Sequence, residues 1–156
     1  MRLLAVLLAL SACVPPPVVV AASRSVGSCA DAVSSDDPRA DLAALAERCA
    51  GDMAAVPGES SATQGEDDPS VRLALEVSGA RRCFRVLAAA DVGVSELDVQ
   101  ILDPSGRALA RDARHGRLAV VPEDGLLCLP HDGRYVVEVA VTGGRGAVVA
   151  RAFSRP

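Results

Sequence analysis

From Val71 onward, hydrophobic and polar positions alternate with a period of two, the pattern of strands with one buried face. Val71, Leu73, Leu75 and Val77 alternate with Arg72, Ala74 and Glu76. A second strand is expected over 81–88 through Cys83, Phe84 and Val86. A third is expected over 96–102, where Leu97, Val99 and Ile101 alternate with Asp98 and Gln100. Asp103-Pro104-Ser105-Gly106 carries residues favoured in a type I turn. Shorter strands are expected near 107–111, 117–121 and 125–129. Asp132-Gly133 then turns into a strand with Tyr135, Val137, Val139 and Val141 facing inward, and Gly143-Gly144-Arg145-Gly146 reads as the turn of a last hairpin to 147–153. Eight short strands at regular spacing predict a mainly β fold, an eight-stranded antiparallel β-sandwich of jelly-roll type over 71–156.

Ahead of the strands the period is helical. Asp37 is a good N-cap with Pro38 at the first helical position, and Leu42, Leu45 and Cys49 then share one face before Gly51. Ser28 and Asp31 resemble a capping pair for a short first helix, Cys29 to Ser34. Together these predict a helical hairpin over 28–51. Residues 52–70, with the polar run GESSATQGEDDPS at their end, predict a solvated linker. Asp67-Asp68 belongs to that linker and is not read as a metal site.

The N-terminus is apolar in a different way. Met1-Arg2 is a minimal positive start, and Leu3 to Leu10 is an apolar run of signal-segment length. Leu10-Ser11-Ala12-Cys13 follows it directly and resembles the lipobox of bacterial lipoproteins. The resemblance implies a signal peptide over 1–12, cleavage before Cys13, and lipid attachment on Cys13 as the membrane anchor. Val14, rather than Asp, after the Cys implies sorting to an outer membrane. Val20-Ala21-Ala22 is the competing cleavage site, for plain secretion to the extracellular space. Pro15, Pro16 and Pro17 disfavour a membrane-spanning helix over 3–22. With the lipid on Cys13, residues 13–27 form a tether of polyproline character.

Either cleavage leaves four cysteines, Cys29, Cys49, Cys83 and Cys128, which in an exported chain predict two disulfides among three connectivities. Cys29–Cys49 and Cys83–Cys128 are preferred, because each pair stays within one segment. The latter is expected to clip non-neighbouring strands. No CxxC spacing favours zinc. All 16 basic residues are Arg, net charge is −4, and there are 2 Phe, 1 Tyr and no Trp. With no basic stripe and no stacking platform, nucleic acid is excluded as a partner. The core must be built of Val, Leu and Ala, which bury less area per side chain and profit from covalent staples.

Candidate chemistry is sparse. His115 and His131 sit in turn-like contexts without metal-ligand spacing, and no G-x-S-x-G elbow accompanies them. Catalytic residues and cofactors are therefore not expected, and the chain reads as a non-enzyme. Asp98 and Asp103 are weak metal candidates, set against a strand-face and a turn-opening role. The runs Cys83-Phe84-Arg85-Val86, Ser95-Glu96-Leu97-Asp98-Val99-Gln100-Ile101-Leu102-Asp103-Pro104-Ser105-Gly106 and Gly133-Arg134-Tyr135-Val136-Val137-Glu138-Val139 resemble the bacterial pre-peptidase C-terminal (PPC) β-sandwich. The resemblance covers about 71–153 and implies an accessory, non-catalytic role. No protease domain of the kind such modules usually accompany is expected within this sequence. The sequence-level reading is an exported envelope protein, in the periplasm or at the outer membrane, with a structural role or a protein or glycan partner. The alternative is a freely secreted accessory or inhibitor of a secreted enzyme.

Overall fold

The computed structural model describes residues 29–30, 35–79, 82–112 and 114–155. The expected signal segment 1–12, the lipid-attachment residue Cys13 and the tether 13–27 lie outside the described residues. So does most of the expected first helix, of which only Cys29 and Ala30 are described, in a turn.

One helix precedes the strands. α1 spans Pro38–Cys49, with Asp37 as N-cap accepting from the Arg39 N–H and Pro38 opening the helix. Nine strands follow among the described residues: β1 Ala54–Ala55, β2 Ser60–Gly65, β3 Val71–Val77, β4 Arg82–Ala90, β5 Val94–Leu102, β6 Ala108–Arg111, β7 Leu118–Val121, β8 Leu127–Leu129 and β9 Gly133–Arg155. All pairings are antiparallel.

β9 organises the molecule, because it runs 23 residues and belongs to two halves of the sheet. Its first part pairs with β3 and β5, and β6 lies outside β5. Its second part pairs with β4 on one side and with β1 and β2 on the other; β7 and β8 lie beyond β4. The two halves fold over one another into a nearly barrel-like antiparallel arrangement. The expected hairpin at Gly143–Gly146 is thus a bend within one strand. Gly144 takes φ +84°, and a Cβ there would run into the Gly93 carbonyl oxygen. Glu66 accepts from the Gly144 N–H and Asp91 from the Ala147 N–H. Other segments therefore satisfy the backbone groups that a tight hairpin would have paired locally.

The expected linker 52–70 differs as well. It contains β1 and β2, and β2 pairs from Ser60↔Ala150 to Gly65↔Arg145. Ser60–Gly65 has no apolar alternation because it is an outer strand with little to bury.

The central core collects the inward residues of both halves, among them Leu75, Phe84, Val86, Leu97, Ile101, Tyr135 and Val137. A second apolar layer lies on the opposite side of β4. There Leu42, Leu45 and Cys49 of α1 pack on Leu87, Ala89, Val120, Val149 and Phe153. β4 is therefore buried on both faces, which explains its continuous apolar run from Val86 to Ala90. Cys29–Cys49 ties the chain before α1 to the end of the helix, and Cys83–Cys128 joins residues directly opposite on β4 and β8. The latter bond links hydrogen-bonded neighbours, not the non-neighbouring strands expected. The short β8 comes back beside β4 instead of crossing to the far half of the sheet.

Candidate functional site

α1 covers the outer side of β4 and of the second part of β9, whereas no described element covers the outer side of β3, the first part of β9, β5 and β6. The alternation that sends Tyr135, Val137, Val139, Leu97, Val99 and Ile101 inward sends their neighbours onto this open face. The strand registers line those neighbours up. Arg72 opposes Glu138, Glu138 opposes Gln100, and Gln100 opposes Arg111, making one polar row across four strands. The next row is small and apolar, with Ala74, Val136, Leu102 and Ala108 in register. Beyond it Glu76 opposes Arg134.

Glu138 is the hub of the polar row. It accepts from the Ser70 hydroxyl, from Arg72 at 3.2 Å and from the Gln100 amide at 2.9 Å. These donors, the Ser70 hydroxyl first, hold its carboxyl below its ordinary value. A carboxylate so held is a weak base and a fixed anchor. Arg111, at the end of the row, is exposed. Two shallow grooves meet on this row. One, of about 590 Å³, reaches toward Asp98, Asp112 and Ala140. The other, of about 710 Å³, runs over Leu102 and Val136 toward Pro104 and Arg134.

The sequence candidates are placed separately. Asp98 lies exposed on the open face, in the first groove. Asp103 sits at the edge of the second, but its oxygens are turned into its own loop. Oδ1 accepts from the Ser105 and Arg107 N–H groups at 2.8 and 3.0 Å, and Oδ2 from the Arg107 side chain at 3.2 Å. With the Ser105 hydroxyl as the leading cause, its carboxyl is lowered to about 2. The structure does not bring Asp98 and Asp103 together. Among the described residues no group of three or more His, Cys, Asp or Glu is placed to hold a metal ion.

His115 is 95% exposed and its Nδ1 lies 3.0 Å from Glu96, whose other oxygen accepts from the Gly116 N–H. That backbone bond first, and then His115, lower the Glu96 carboxyl. His131 is also exposed, and its carbonyl accepts from the Tyr135 hydroxyl at 3.1 Å. Burial raises the Tyr135 phenol, with Asp103 and Asp132 acting in the same direction. Neither histidine lines the grooves of the open face.

Ser70, Arg72, Gln100, Arg111, Arg134 and Glu138 carry the geometry of this face, and none stands out as a motif. The signal for most of them was the polar half of each strand's alternation, which names the outward positions. Their alignment depends on register, and register is not local to any one strand. No helix among the described residues is long and apolar enough to cross a membrane. Comparison with protein-family models and with curated proteins finds no match.

Proposed function

We propose that the chain is an exported, lipid-anchored envelope protein whose β domain binds a partner and does no chemistry of its own. The observation that carries the binding role is the asymmetry of the fold. One side of the sheet is sealed by α1, while the other presents ordered polar rows around a small apolar strip. An apolar strip between polar rims is the layout of a protein-binding surface. Phe84, Tyr135 and Phe153 are all buried, so the described surface offers no aromatic platform for sugar rings, and a protein partner fits better than a glycan.

The sandwich of PPC type remains our reading of the β domain. The Tyr135 hydroxyl bonded back to the His131 carbonyl at the start of β9 resembles the tyrosine corner of Greek-key sandwiches, which supports it. The two disulfides are compatible with an oxidising compartment. The lipobox at Leu10 to Cys13 supports the anchor: acyl chains on Cys13 would hold the domain at the membrane through the 13–27 tether.

Radiolabelled palmitate tests the anchor. Label and membrane partition lost together on Cys13→Ala are the expected result. A mature N-terminus at Ser23 with no label would replace this reading with a freely secreted accessory protein.

A further inference from the structure

We propose that the groove over Leu102 and Val136 binds an acidic segment of a partner protein, gripped by Arg111 and Arg134 with Arg72 at the rim. This deepens the binding role proposed above and rests on it. The three arginines reach the groove from three strands, β3, β6 and β9, so no single loop builds the site. The row from Arg72 to Arg111 crosses four strands, roughly 15 Å at the usual strand spacing. That span suits several residues of an extended peptide.

The charge that remains available in this groove is positive. Its two carboxylates, Asp103 and Glu138, are both occupied. Asp103 is bonded within its own turn, and Glu138 to Ser70, Arg72 and Gln100. Arg111 and Arg134 are not used up in the same way, whereas Arg72, paired with Glu138, completes the rim. Arg111 makes no ion pair or side-chain hydrogen bond among the described residues. Arg72 is 68% exposed beside Glu138. Arg134 approaches Glu76 at 3.4 Å with both side chains about 70% exposed, a pair that water screens and a bound carboxylate can displace. Each guanidinium presents a planar fork that matches a carboxylate.

Between these forks lies the row Ala74, Val136, Leu102 and Ala108, which gives an apolar side chain of the partner a place to rest. Asp98 lies beyond the polar row, in the neighbouring groove. It repels an acidic segment there and so directs it toward the Arg134 end.

The test is fluorescence anisotropy with the full exported chain, disulfides intact, and fluorescein-labelled octaglutamate as probe. Saturable binding at low ionic strength is expected, weakened at least tenfold by Arg111→Glu or Arg134→Glu and by 0.5 M salt. Arg48→Glu, on the exposed side of α1, should leave it unchanged. Urea midpoints of the variants should match the parent chain, and Arg111→Ala, which introduces no new charge, should also weaken binding. The proposal is overturned if octaglutamate fails to bind. It is overturned equally if Arg48→Glu costs as much as Arg111→Glu, or if labelled oligogalacturonate binds while octaglutamate does not. Palmitate labelling of the same preparation reads the anchor independently, so failure here leaves that part of the reading standing.

Discussion

Arg85 is 8% exposed beneath the C-terminal end of α1, where its guanidinium donates to the carbonyls of Cys49 and Gly125. The Cys49 carbonyl is one of the last of the helix, which has no partner within the helix itself. Burial lowers the Arg85 pKa, and Asp124 nearby opposes the shift. Removing the side chain would leave two enclosed carbonyls unsatisfied and a cavity between helix and sheet. Arg85→Ala should therefore cost about 2–4 kcal/mol of unfolding free energy, read from urea denaturation. Arg85→Lys should recover only part of it, because an ammonium cannot fork between the two carbonyls in one plane.

Asp103 shows a different balance, since its carboxylate is satisfied within its own surface turn and its pH signature is the diagnostic one. Its folded pKa, about 2, lies below the ordinary 3.8. The stability it contributes is thus fully present above the ordinary value and is lost as pH falls through about 2. The gap in melting temperature between the parent chain and Asp103→Ala should be constant from neutral pH down to about 5, and should close as pH falls toward 2.

At the scale of elements, β9 explains most of what the chain's pattern conveyed and what it concealed. β3, β5 and the first part of β9 were legible because each has one buried face and alternates with a period of two. α1 was legible because Asp37, Pro38 and the Leu42–Leu45–Cys49 face agree with one another. β2 was not, for Ser60–Gly65 is recognised as a strand only by its partner. Nor was the continuation through Gly143–Gly146, because a glycine run suits a turn and a bend equally. The choice is made at a distance, by Glu66 and Asp91 taking up the N–H groups of Gly144 and Ala147. The site follows the same logic: Asp98 and Asp103 stood out one residue at a time, whereas the row from Arg72 to Arg111 exists only once four strands are in register. Gly144→Ala tests the bend. It meets both an unfavourable φ of +84° and the Gly93 carbonyl, so a loss of about 1–3 kcal/mol in a urea titration is expected. Gly106→Ala, at a similar φ of +84° but with open space around it, should cost less.

For the whole molecule, two bonds divide the covalent support. Cys29–Cys49 closes a separation of 20 residues around α1, and Cys83–Cys128 one of 45 residues within the sheet. By loop entropy alone their removal should cost about 3.3 and about 4.0 kcal/mol, a difference of about 0.7 kcal/mol. The surroundings of the two bonds make that difference informative. If Cys29–Cys49 is replaced by alanines, α1 is still held by Arg85 at one end and at the other by Asp41, which is 2% exposed and 3.1 Å from Arg117. The helix should stay docked, so the loss should remain near the entropic figure and the urea transition should stay a single step. Cys83–Cys128 instead fastens the three-residue β8 to β4, beside Leu127 and Leu129 of the central core. Without it this short outer strand keeps only three residue pairs with β4 and the core contacts of Leu127 and Leu129. The Cys83→Ala/Cys128→Ala chain should lose more than the loop entropy accounts for, with amide exchange in 127–129 rising well ahead of exchange in β9. Equal losses in the two double variants, with β8 still protected, would mean that the strand pairs alone hold the sheet closed.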